Sequence, residues 1–197
     1  MIAIVDYGVG NLRSVERALV HAGAEPLITA DPDELERAEG LVLPGVGAFA
    51  AAVGKLSANG LGRRVVDLAR RGKPVLGVCL GYQLLFDEST EGGRHEGLGL
   101  LPGRVVQVQG STHLPVIGWS RLKQTGVSSL WDGVADEAYF YFVHSYAPES
   151  SGSAIACTAH SPAAAAATGN VMGTQFHPEK SGADGLRVYR NFVAMCA

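Results

Sequence analysis

Apolar positions along the first half of the chain follow two rhythms in turn. Residues 1–7 open as a short apolar run that reads as a strand. Behind it, Leu12, Val15, Leu19 and Ala22 recur at helical spacing, Arg13, Glu16 and Arg17 face elsewhere, and Gly23 is placed to end the helix. Residues 26–29 and 40–43 predict two more strands. Between them lies 31–38, whose acidic start suits a helix N-terminus. A further helix is expected over 61–71, with Leu61, Val65, Leu68 and Ala69 inward and Gly72 at its end. Residues 74–78 then form an all-apolar strand of the kind found at a sheet centre. Strand and helix in alternation predict a parallel sheet with crossover helices.

The second half is richer in β signals, at 104–108, 138–143, 154–159 and 171–176, and an antiparallel extension of the sheet would accommodate them. The alanine run 163–167 has strong helix propensity, yet Pro162 and Gly169 leave it short, so helix and strand both stay open. Leu186, Tyr189, Phe192, Val193 and Cys196 make a helical stripe that predicts the last element. No repeat, linker or low-complexity stretch divides residues 1–197, so one α/β domain is expected.

Composition narrows the function classes. With 47% hydrophobic and 18% charged residues the chain can bury one substantial core. A net charge of −3 leaves no electrostatic footprint for nucleic acid or an anionic membrane. No apolar run is long enough to span a bilayer and no signal sequence opens the chain, so a soluble cytoplasmic protein is expected. Cys79, Cys157 and Cys196 are odd in number and widely spaced, which argues against a disulfide framework. Without a CxxC or HxxxH pair, no zinc site is expected.

Candidate chemistry appears where the central strand stops, at Gly77-Val78-Cys79-Leu80-Gly81, ahead of helix formers 82–86. A nucleophile on a sharp strand-to-helix turn needs small flanking residues, as the GxSxG elbow does. A cysteine at that helix start would meet free N–H groups and the positive end of the helix dipole, which suits a nucleophilic sulfur. The second half supplies His177-Pro178-Glu179. A residue before proline is extended, and residues two apart in an extended segment point the same way, so both side chains can face one site. A carboxylate orienting an imidazole that serves a thiol is the logic of a catalytic triad. The turn Pro44-Gly45-Val46-Gly47 offers backbone N–H groups that could join that of Leu80 around an oxyanion. The run 8–12 lacks the third glycine of a dinucleotide loop, so no cofactor is expected there.

GVCLGYQLLF together with TQFHPEKS resembles the class I, triad-type glutamine amidotransferases. DYGVGNLRS, LPGVGAF, IGWS and YFVHSY narrow the resemblance to the glutaminase subunits of imidazole glycerol phosphate synthases. It extends from Asp6 to Ser181. The resemblance implies a flavodoxin-like fold: a central, mostly parallel sheet with helices on both faces and an antiparallel β extension. It implies one glutamine amidotransferase type 1 domain over 1–197 and a triad of Cys79, His177 and Glu179. Val46, Gly47 and Leu80 would form the oxyanion hole, and Gln83, Glu91, Ser145 and Tyr146 would hold glutamine. No cofactor or metal is implied. The implied partner is a (β/α)8-barrel cyclase that takes ammonia to make imidazole glycerol phosphate and an aminoimidazole-carboxamide ribotide in histidine biosynthesis. Asn11, Trp119, Tyr141 and Lys180 would face it, although Trp119 and Tyr141 also suit a core.

The family segment commonly reads Pro-His-x-Gly-Trp-Asn, where this chain has Val116 and Ser120 in place of the histidine and asparagine. Both changes avoid the triad and touch the expected interface. Two other readings are a glutaminase serving another synthase, such as that of pyridoxal phosphate, and a non-catalytic regulatory subunit. DYGVGNL and IGWS speak against the first, and the complete Cys, His and Glu set against the second.

Overall fold

A computed structural model describes residues 1–111, 113–149 and 152–196. The chain runs β1 (Ile2–Val5), α1 (Leu12–His21), β2 (Pro26–Thr29), α2 (Pro32–Arg37), β3 (Gly40–Leu43), α3 (Phe49–Ala58), α4 (Leu61–Arg70), β4 (Val75–Val78) and α5 (Leu80–Leu84). It continues through β5 (Phe86–Ser89), β6 (His95–Glu96), β7 (Leu101–Gln107), β8 (Val116–Arg121), β9 (Lys123–Gln124), β10 (Tyr139–His144) and β11 (Tyr146–Pro148). The last elements are β12 (Ala154–Cys157), β13 (Ala165–Thr168), β14 (Val171–Thr174) and α6 (Gly182–Met195).

The main sheet has eight strands in the order β2-β1-β3-β4-β14-β13-β12-β9. Pairing is parallel from β2 to β14 and antiparallel beyond it. The start of that order is the doubly wound, flavodoxin-like arrangement. Alternation along the buried strands explains the two faces. Ala3, Val5, Leu41, Leu43 and Val75 pack with α2, α3 and α4, while Ile2, Ile4, Val42, Leu76 and Val78 pack with α1 and α6. Burying both faces is why these strands read as continuous apolar runs.

The expected strands at 26–29 and 40–43 match β2 and β3, and α1, α2, α4 and α6 lie where the periodicity placed them. Helix α3 had no expectation. The alanine run resolves as a strand: Ala165 and Ala166 pair with β14, and Ala163 to Ala166 are fully buried. Tertiary pairing overrides helix propensity there, and the small side chains leave room for Tyr82, whose hydroxyl donates to the Ala163 carbonyl at 3.0 Å.

Of the four segments expected in an antiparallel extension, only those now seen as β12 and β14 enter the main sheet, and β14 does so parallel to β4, as the last strand of the parallel part. β10 instead pairs with β8 as a two-stranded ribbon, and β7 joins β5, β6 and β11 in a small sheet of four. No helix among the described residues is long and apolar enough to cross a membrane.

Candidate active site

The loops leaving the carboxyl ends of β1, β3, β4 and β14 meet at one end of the sheet, where doubly wound folds hold their ligands. Cys79 stands between β4 and α5 with φ 54° and ψ −111°, a conformation that costs a non-glycine residue energy and turns the chain sharply. Its flanking glycines are required by close approach. A Cβ on Gly81 would lie 1.8 Å from the Leu43 carbonyl oxygen, and one on Gly77 would lie 2.6 Å from Cα of Tyr82. The elbow is thus wedged against β3 and its own helix.

His177 follows β14 in an extended conformation, as its proline neighbour dictates. The expected extended run stops there, because Pro178–Lys180 forms a single 3₁₀ turn. That turn still brings Glu179 under the ring, with Nδ1 of His177 2.8 Å from Oε1 of Glu179 and both side chains almost fully buried. Burial is the largest influence on the imidazole and lowers its pKa. The Cys79 and Glu179 side chains act oppositely and together carry it up to about 9, so His177 holds its proton at neutral pH. Nε2 is buried and meets no hydrogen-bond partner at normal distance among the described residues, while the Cys79 side chain, as a hydrogen-bonding and charged neighbour, is the first of the two groups that raise the ring.

A cavity of about 260 Å³ opens over these groups. Val46, Gly47, Cys79, Leu80 and His177 line it, together with Gln83, Glu91, Ser145 and Tyr146. Every residue expected in the triad, oxyanion hole or glutamine pocket therefore converges here, except that the Glu179 carboxylate sits behind His177. Leu80 is the first residue of α5, so its N–H has no partner within the helix. Glu91 also accepts from the Phe49 N–H at 2.9 Å, which satisfies one donor at the start of α3 just beyond the glycine turn. His144 lines the same cavity as a neutral ring: burial first, then the charges of His160 and His177, lower it to about 4.

The expected partner-facing residues lie at the surface near this site. Trp119 on β8 is 55% exposed, which removes it from the core. It meets Tyr141 on β10 edge to face at 6.1 Å, and Lys180 Nζ lies 5.8 Å from the centre of the Tyr141 ring. Asn11 is exposed at the start of α1, a helix that packs on the 178–180 turn. Val116 and Ser120 lie on β8 opposite His144 and Phe140, inside the ribbon that carries Trp119.

Two supports had no expectation. Ser181 Oγ donates to the His177 carbonyl at 2.7 Å and accepts from the Tyr141 N–H at 3.0 Å, fixing the histidine loop to the ribbon. Tyr7 donates to the Pro44 carbonyl at 2.7 Å, anchoring the glycine turn. Both residues stand within the motifs quoted above, but the contacts from Ser181 to Tyr141 and from Tyr7 to Pro44 span 40 and 37 positions, beyond local pattern.

Residues 3–196 match the family model described as glutamine amidotransferase class-I. A protein of Methanosarcina mazei named imidazole glycerol phosphate synthase subunit HisH is 45% identical over 201 residues, covering 99% of this chain and 98% of that one. One of the same name from Bacillus cytotoxicus is 45% identical over 195 residues, covering 98% and 93%. Among solved structures, one described as a glutamine amidotransferase superposes with TM-score 0.80 at 20% identity, covering 100% of this chain and 99% of that one. PurLQS from Thermotoga maritima gives 0.77 at 21%, covering 100% and 98%. At such identities the superpositions speak for the fold, whereas the family match and the close relatives speak for descent: this chain belongs to the class-I glutamine amidotransferases.

Proposed function

We propose that this chain, one glutamine amidotransferase domain over residues 1–197, is the glutaminase subunit of an imidazole glycerol phosphate synthase. It releases ammonia from glutamine for a (β/α)8-barrel cyclase in histidine biosynthesis. The observation that carries the chemistry is the state of His177. One ring nitrogen is held by Glu179, and the other is buried, unpaired among the described residues, at the cavity that Cys79 lines.

In this reading the Cys79 sulfur attacks the side-chain carbonyl carbon of glutamine. The oxyanion that forms is met by N–H groups of Leu80 and of the Val46–Gly47 turn. His177 gives its proton to the departing nitrogen, so ammonia leaves and a γ-glutamyl thioester remains. The now neutral His177 takes a proton from water, whose oxygen displaces the sulfur and yields glutamate. Gln83, Glu91, Ser145 and Tyr146 hold the amino-acid end of the substrate. Free ammonia would protonate in bulk water and lose its nucleophilicity, which favours release into a docked partner. The ribbon face with exposed Trp119 and half-buried Tyr141, together with Asn11 and Lys180, is the surface this reading gives to that partner.

A glutamine-like diazo ketone is expected to label Cys79 stoichiometrically and be held off by glutamine. A folded chain left unlabelled at Cys79 would rule out the glutaminase reading and favour an idle subunit. Glu179→Gln is expected to lower kcat about 10⁴-fold without abolishing turnover, because an orienting group is lost rather than the nucleophile. Removing that carboxylate takes away one of the two groups that raise His177, so the alkaline limb of kcat/KM should move to lower pH. An unchanged kcat and limb would take Glu179 out of the mechanism.

A further inference from the structure

Between β14 and His177 lies a fully buried amide, Gln175, that the mechanism above does not use. The two ends of an amide are alike in shape, so their placement follows from their partners. Here one partner is unambiguous. The backbone carbonyl of Tyr146 can only accept, so the Gln83 atom 2.7 Å from it is the donor Nε2. The same nitrogen lies 3.0 Å from the Gln175 amide, whose facing atom must accept and is therefore Oε1. Nε2 of Gln175 is left to face the Cys79 sulfur, at 3.9 Å. A carbonyl that cannot change roles thus sets, through two amides, the direction of an N–H at the nucleophile.

We propose that Gln175 is a further catalytic residue, whose amide N–H donates to the Cys79 sulfur and stabilises negative charge there. It has an opponent. The Val143 carbonyl oxygen, also 3.9 Å from the sulfur, can only accept and so favours the protonated thiol. The sulfur therefore sits between a group that suits its neutral form and a group that suits its anion. A hydrogen bond to a charged acceptor is worth more than one to a neutral acceptor, so the Gln175 contact strengthens as the anion forms. Because the relay starts at Gln83 and Tyr146, which line the glutamine cavity, substrate contacts there bear on the same N–H.

The proposal rests on Cys79 being the nucleophile, and its test reads the sulfur without using turnover. The full chain is treated with iodoacetamide at pH 7 and the alkylation rate at Cys79 is read by peptide mass spectrometry, with Cys157 and Cys196 as internal controls. Gln175→Met removes the donor, and Gln175→Glu replaces it with a group that accepts when ionised. Both are expected to slow Cys79 alkylation about tenfold, with the control cysteines unchanged. Gln83→Met breaks the relay one step earlier and frees the amide to reverse, so it should slow Cys79 severalfold even if the Gln175 variants fail to fold. Any folded variant of the three that alkylates at the wild-type rate overturns the proposal. A wild-type Cys79 that reacts no faster than Cys157 or Cys196 would instead defeat the assignment of the nucleophile.

Discussion

Cys79→Ser is expected to lower glutamine-dependent turnover about 10⁴-fold or more, while ammonium salts still drive the partner's cyclase reaction. The side chains are nearly isosteric, and the strained elbow is set by backbone contacts around Gly77 and Gly81, so the fold and the docking face should persist. What is lost is chemical. A serine hydroxyl ionises far less readily than a thiol and would need a stronger base than the imidazole of His177 to become a nucleophile. Supplying ammonia directly bypasses the lost step. Glutamate release and cyclase turnover, each measured with glutamine and with ammonium, check this. A variant that fails with ammonium as well would mean that this chain does more for the partner than make ammonia.

Gly81→Ala is expected to destabilise the protein by about 3 kcal/mol or more and to abolish glutaminase activity in whatever folds. The added Cβ would fall 1.8 Å from the Leu43 carbonyl oxygen and 2.6 Å from its carbon, both backbone atoms of a fully buried strand. Leu43 is in register with Gly77 across the sheet and has no direction in which to retreat. Relief would have to come from moving the elbow or the 44–47 turn, which displaces the nucleophile or the oxyanion donors. Gly54→Ala is the control: it stands inside α3 with nothing within 4 Å of the new Cβ, and alanine there should be neutral or mildly stabilising. Urea unfolding midpoints for the pair decide it, and a Gly81→Ala protein as stable as wild type would show that the elbow is not wedged as described.

What could be read from the sequence tracks how far each signal reaches along the chain. The strands buried on both faces and the helices beside them were legible because their apolar positions keep one period. Helix α3 was not, since Phe49, Ala52 and Leu56 are interleaved with further alanines that blur the inward face. The β8–β10 ribbon was only half legible for a different reason. Its outward face carries Ile117, Trp119 and Tyr139, so the usual rule of apolar inside fails there. At the site, Cys79, His177 and Glu179 announce themselves by local motif. Gln175 and Ser181 sit beside the same histidine and do not, because each reaches a partner far away in sequence: Gln175 meets Gln83 and Cys79 across 92 and 96 positions, and Ser181 meets Tyr141 across 40. Such contacts exist only once the sheet has formed.

The central claim is that this chain makes ammonia for a barrel cyclase, and one measurement tests it most directly: glutamate release by the purified chain, alone and then with the cyclase and its ribotide ligand. Strong stimulation in the complex, above a low rate for the chain by itself, is the predicted result. A folded chain that releases no glutamate in either condition, or releases it rapidly and indifferently to the cyclase, would contradict the account.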